Sequence, residues 1–89
     1  MVIIFTDYIR DRIKLIDYNE LKIEEILKYY SERYFDVSTG RTVVIGRHDD
    51  RLVLIPYEEH NGSVTPVTIH AITRQQIKYR IRTGRFIYE

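Results

Sequence analysis

At 89 residues the length sets one domain at most, above the ~40 residues below which disulfides or metals are usually required, with room for only a small core. Apolar residues at 44% and charged residues at 30% suit a folded domain rather than a disordered chain, and the absence of cysteine excludes a disulfide framework, a cysteine nucleophile and thiolate metal sites. The formal net charge of +1 conceals an asymmetry: residues 1–59 carry nine Lys/Arg against twelve Asp/Glu, whereas residues 60–88 carry Arg74, Lys78, Arg80, Arg82 and Arg85 with no acid, a distribution that points to an anionic partner.

Val2 to Phe5 predicts a short strand. Thr6 or Asp7 then caps a helix in which Ile9, Ile13 and Ile16 fall at i, i+4 and i+7. Asn19 is a second cap, followed by Ile23, Ile26, Leu27 and Tyr30 at helical spacing and by Glu20, Glu24 and Glu25 in the dipole-favoured early turns. Two helices are therefore expected, roughly over 7–17 and 20–33. The period then changes. Tyr34 to Ser38, Thr42 to His48, Leu52 to Glu58 and Val64 to Ile72 are short β-branched or aromatic runs, broken at Thr39-Gly40, Asp49-Asp50 and Asn61-Gly62. Asn-Gly is the strongest hairpin signal, because a type I′ turn requires positive φ at both central positions. Thr73 caps a last helix and Gly84 stops it. The order predicts an α+β domain: two N-terminal helices packed on one face of a 3–4-stranded antiparallel sheet, then a C-terminal helix.

Two-residue turns at Asp49-Asp50 and Asn61-Gly62 set the register. Gly46 then opposes Val53, His48 opposes Arg51, Tyr57 opposes Pro66, Ile55 opposes Thr68, and Val53 opposes His70. Side chains alternate along a strand, so one face carries Val43, Ile45, Leu52, Leu54, Val67, Ile69 and Ala71 and is expected beneath the helices. The other carries His48, Arg51, Tyr57, Thr68 and His70 among Val44, Val53 and Ile55, with open space above Gly46, and is expected to form a shallow site. On the last helix Arg74, Lys78, Arg82 and Arg85 lie at i, i+4, i+8 and i+11 as a basic stripe, while Ile77 and Ile81 define an apolar side. Tyr79 and Phe86 interleave the cations, a combination suited to single-stranded RNA: phosphates are neutralised and unpaired bases stacked.

This order of elements resembles the RelE-like ribonuclease toxins of toxin–antitoxin systems. The stretch Val67-Thr68-Ile69-His70-Ala71-Ile72-Thr73-Arg74-Gln75-Gln76 is most similar to the BrnT branch, where a last strand runs into a Thr-Arg segment opening a helix. Gly46-Arg47 before the Asp49-Asp50 turn is similar to the pair preceding that branch's central hairpin. The branch usually has a Glu shortly after the Thr-Arg, where this chain has Gln76, and an arginine after the Ala, where it has Ile72. The resemblance implies a RelE-like fold and an endoribonuclease that cuts mRNA through attack of the RNA 2′-OH, held inactive by an antitoxin protein. Such chemistry needs a proton acceptor, a phosphate clamp and a proton donor. His70 and His48 are the candidates with near-neutral reference pKa values. Arg51 and Arg74 are candidate clamps, since guanidinium grips phosphate through two donors. Tyr57 or Tyr79 would stack a base or donate a proton, and Lys78, Arg82 and Arg85 would hold the RNA backbone.

The same stripe fits a second class of function, a non-catalytic module that binds RNA or an acidic protein segment. A third is a homodimer meeting across a sheet edge, with Pro56 blunting that edge or marking a bulge. Three dispersed histidines without Cys offer no metal-ligand spacing, so neither metal nor cofactor is expected. No apolar run approaches the ~18 residues of a membrane span and no signal peptide opens the chain, so no membrane partner and a cytoplasmic location are expected.

Overall fold

In the computed structural model, which describes Met1 to Glu89, the chain begins with a two-residue strand, β1 (Val2–Ile3). The Thr6 hydroxyl then accepts from the Ile9 amide and starts α1 (Asp7–Leu15). The Asn19 side chain accepts from the Lys22 amide and starts α2 (Glu20–Tyr29). Both helices stop short of their expected ends: Asp17 turns the chain at φ 58°, and Tyr30 is already extended. Strands β2 (Arg33–Asp36), β3 (Arg41–His48), β4 (Arg51–His60), β5 (Ser63–Pro66) and β6 (His70–Ala71) follow, then α3 (Arg74–Arg82) and β7 (Phe86–Tyr88).

The protein is thus α+β, with three helices on a mostly antiparallel sheet. The sheet has seven strands, more than the three or four expected, in the order β1-β5-β4-β3-β2-β7, with β6 also pairing β4. The short strand expected over Val2 to Phe5 forms as β1 and joins the sheet parallel to β5; β7, antiparallel to β2, was not expected, and the run expected as one strand over 64–72 is divided into β5 and β6.

Both hairpins have the expected register where they begin. His48 opposes Arg51, Gly46 opposes Val53, and Val44 opposes Ile55. His60 opposes Ser63 and Tyr57 opposes Pro66 across Asn61 and Gly62, which take φ of 48° and 81° as a type I′ turn demands. Beyond Pro66 the pairing slips by one residue: Leu54, not Val53, opposes His70. Pro56 provides the physical cause. Its carbonyl accepts from the Val67 amide, so its absent N–H also faces the β5–β6 side. The reciprocal bond of that pair, from residue 56 to the Val67 carbonyl, cannot be made, and the chain accommodates one extra residue between Pro66 and His70 as a bulge. The slip moves His70 onto the face of Leu54.

The helices also divide differently from expectation. Helices α1 and α2 cover the face of Val44, Val53, Ile55 and Tyr57, where Ile9, Ile13, Ile23, Ile26 and Leu27 complete one core. Helix α3 covers the opposite face, where Ile72 and Ile77 pack with Tyr34, Val43, Ile45, Leu54 and Phe86 in a second core. The space expected above Gly46 is filled by α2: a Cβ at Gly46 would lie 2.6 Å from Ile26 Cγ2. Only a glycine lets the helix approach that closely. No helix is long and apolar enough to cross a membrane.

Candidate functional site

On the α3 side of the sheet the short helix leaves part of β4 uncovered. A cleft of about 300 Å³ opens there, floored by Leu54 and Pro56, walled by Val67 and Thr68, and lined by His70, Arg41, Arg80, Arg85, Asp36 and Thr39. Each polar group arrives by a local structural cause. His70 faces the cleft because of the Pro56 bulge. Arg80 sits one helical turn beyond Ile77 and beside Ile81, on the sheet-facing side of α3. Arg85 follows Gly84, whose φ of 84° turns the chain out of the helix and back into β7.

Asp36 is 3% exposed and anchors the cleft. Its carboxylate accepts from Arg85 Nε at 2.9 Å and Nη2 at 3.0 Å, and from the Ser38 amide at 3.0 Å. Burial pushes this carboxyl up, but those hydrogen bonds outweigh it and hold the group below the usual carboxylate range. Arg85 keeps Nη1 free. Arg41 lies along the rim, donating to Glu58 Oε1 at 3.3 Å. Arg80 is half-buried and enters no ion pair of the chain. Its guanidinium lies 5.4 Å from the Phe86 ring centroid. Burial, then the neighbouring Arg85, lower its pKa, with Asp36 opposing. His70 is half-buried, and burial followed by Arg80, Arg12 and Arg85 pushes its pKa below the ordinary histidine value. The cleft therefore presents a neutral imidazole at pH 7 beside an excess of positive charge, a combination that accepts a proton from a neutral hydroxyl and binds an anion.

Of the other residues expected to form the site, His48 and Tyr57 lie on the face that α1 and α2 seal. His48 is 2% exposed; its Nε2 accepts from the Asn19 amide at 2.8 Å, its Nδ1 is buried without a partner, and Tyr18 packs edge-on at 4.8 Å. It satisfies the N-cap amide of α2 instead of meeting solvent. Tyr57 accepts from Arg33 Nη1 at 2.9 Å, while Arg33 Nη2 donates to the Leu27 carbonyl at the end of α2. Neither is open to a substrate. Arg51 stacks on Tyr18 at 4.2 Å and donates to the Asp17 carbonyl, which ties β4 to the α1–α2 connection. Arg74 opens α3 but does not line the His70 cleft. Its Nη1 donates to both Glu32 oxygens, at 2.9 and 2.6 Å, and Glu32 also accepts from Tyr34 Oη at 2.7 Å. Burial raises the Glu32 pKa, and the Arg74 and Tyr34 bonds more than reverse it. Gln76 is the fourth residue of a capping box: its side chain accepts from the Thr73 amide while Thr73 accepts from the Gln76 amide, the work a glutamate does at that position. Lys78, Tyr79 and Arg82 line a shallow outer surface of α3, with Arg82 5.7 Å from the Tyr79 ring centroid. Arg85 is beyond the end of that helix and divides its contacts between this surface and the cleft.

Sequence reasoning missed Asp36, Arg41 and Arg80. For Arg80 the signal was present: it lies at i+3 from Ile77 and beside Ile81, so it flanks the apolar stripe instead of the solvent-facing one. For Asp36, alternation from Tyr34 marks an acid on a buried face, which requires a cation, although nothing local identifies Arg85 as that cation. No group of three or more His, Asp or Glu side chains is arranged so that it could hold a metal ion. No protein-family model, no curated protein and no solved structure matches the chain.

Proposed function

We propose that the protein is an endoribonuclease of the RelE/BrnT-like kind it resembles, cutting mRNA at the His70 cleft and neutralised by an antitoxin. The observation that carries this reading is a half-buried, neutral histidine beside two arginines, one of them without a counter-charge, on the sheet face that α1 and α2 leave free. A phosphodiester held by Arg80 and by the free Nη1 of Arg85 would bring the adjacent ribose 2′-OH to His70. The imidazole takes the hydroxyl proton and the 2′-oxygen attacks phosphorus. The bond from phosphorus to the 5′-oxygen breaks, leaving a 2′,3′-cyclic phosphate and a 5′-hydroxyl that takes its proton from water. Charge building on the phosphorane falls against guanidiniums that are partly shielded from water in the cleft, where they act more strongly than in bulk solvent.

The test is incubation of the purified protein with a long mRNA, with and without ribosomes. Cutting is expected, together with its loss in His70→Ala and Arg80→Ala variants of unchanged circular dichroism. RNA left intact in both reactions, with no growth arrest on expression, refutes the proposal. The exposed Lys78, Tyr79 and Arg82 surface favours a second reading, a non-catalytic module of the same fold. RNA binding without cleavage, weakening steeply with salt, distinguishes it, and salt-insensitive binding points to a protein partner instead.

A further inference from the structure

The bulge that walls the His70 cleft has a second hollow on its other side. Val67 and Thr68 line both. The second hollow runs from the start of α1 to the end of β5 and is lined by Thr6, Tyr8, Arg12, Glu58, Thr65 and Pro66 in addition to that shared wall. Its cation is Arg12. The Nε of Arg12 is buried with no hydrogen-bond partner, and no ion pair of the chain includes this residue. Glu58, the acid of the hollow, is already engaged by Arg41. Tyr8, 61% exposed, lines the hollow and belongs to neither core. A partly buried guanidinium with unused donors is costly to a fold unless something charged completes it.

Resting on the reading of the His70 cleft as an RNA site, we propose that this hollow is a second nucleotide subsite: Arg12 binds the phosphodiester next to the one at His70, and Tyr8 stacks the base between or beside them. The shared Val67–Thr68 wall makes the two hollows neighbours on one path. That path crosses from α3 over the bulge to α1, and it places a cation without a counter-charge on each side, Arg80 and Arg12. The substrate it fits is a single strand, because an exposed tyrosine can stack only on a base free of a complementary partner. The exposed stripe on α3 is not required for this path.

The probe is a 2′-O-methyl uridine hexanucleotide, which cannot undergo attack by its own 2′-oxygen, titrated by fluorescence anisotropy over a range of salt. Arg12→Gln is expected to weaken binding at least ~tenfold and to lower the salt slope by ~0.7, one single-strand phosphate contact. Tyr8→Ala, at an exposed position, is expected to weaken binding about tenfold through lost stacking. Inorganic phosphate should still shift the His70 imidazole resonances in both variants, since neither residue lines that cleft, while an Arg74→Ala control keeps full hexanucleotide affinity. Affinity and salt slope unchanged in Arg12→Gln and Tyr8→Ala, with the wild type binding, overturn the second subsite and leave the His70 reading standing. A wild type that fails to bind the hexanucleotide overturns both.

Discussion

Gly46→Ala tests the packing that decides which face of the sheet stays open. An ideal Cβ at this position lies 2.6 Å from Ile26 Cγ2, 2.9 Å from Ile26 Cγ1 and 3.1 Å from Tyr30 Cδ2. The first two atoms belong to a side chain that is 1% exposed, so they have no room to retreat. Forcing an extra carbon into a packed core costs about 1–3 kcal/mol, whereas replacing glycine with alanine restores about 0.4–1 kcal/mol by restricting the unfolded chain. The net expectation is a loss of about 1–2 kcal/mol, equivalent to a fall of about 4–8 °C in Tm per kcal/mol for a domain of this size. Ile26→Ala costs about 2–5 kcal/mol alone but removes both clashing carbons. In that background Gly46→Ala becomes neutral or stabilises by up to about 1 kcal/mol. Urea melts of the four proteins, followed by circular dichroism, give the coupling directly. Equal penalties in both backgrounds, or no penalty in the wild type, would refute the close approach of α2 to β3 and with it the reason α1 and α2 occupy that face.

Burial and nearby arginines hold the His70 pKa below its ordinary value, so with His70 as the proposed base kcat/KM for RNA cleavage should rise with pH through the depressed pKa and stay level above ~6.5; a profile falling across that range excludes His70 as the base. Burial, followed by the nearby Arg51, lowers the His48 pKa in the fold, so between that value and the unfolded ~6.5 the unfolded state binds more protons. The stability His48 contributes is therefore full above ~6.5 and lost as pH falls through the window, and His48→Gln, which keeps an acceptor for the Asn19 amide, should flatten the dependence of the urea midpoint between pH 7.5 and 5 relative to wild type. Asp36→Asn leaves Arg85 without its carboxylate partner beside Arg80, and a destabilisation of about 1.5–3 kcal/mol is expected from the lost charged hydrogen bonds, read from the urea midpoint. Arg74→Ala removes an ion pair whose arginine side chain is 54% exposed and should cost no more than about 1 kcal/mol while leaving cleavage intact.

Local chemistry made much of the fold legible. Thr6, Asn19 and Thr73 are the caps their residue types predict, and both hairpin registers follow from their two-residue turns. The choice of faces was not legible, because helices cover both sides of the sheet and aliphatic residues line both: Val44, Val53 and Ile55 on one, Val43, Ile45 and Leu54 on the other. Alternation separates the faces but carries no polarity contrast to say which one meets α1 and α2. The decision lies in a tertiary fit, the absent side chain of Gly46 against Ile26. His70 does line a cleft, although by a different route from the one the sequence suggested. The face expected to be open is sealed, and the bulge transfers His70 to the side that is open. His48 and Tyr57 lie before the bulge and remain under the helices. The basic stripe overlooked Arg80 because spacing along the solvent side of a helix selects cations that face water, whereas the cation lining the cleft borders the apolar side.

Pro56 has the properties of a switch operated by covalent structure. A residue with an amide hydrogen at this position would let β5 continue zipping along β4 in unbroken register, and His70 would then oppose Val53 and turn to the opposite surface. The imidazole would then point beneath the helical layer, and the helix behind it would start a residue out of phase. A survey of substitutions scored for activity and for solubility separately should find position 56 intolerant in the first and permissive in the second. The side chain there takes no part in the proposed bond-making, yet it sets which surface of the sheet presents His70.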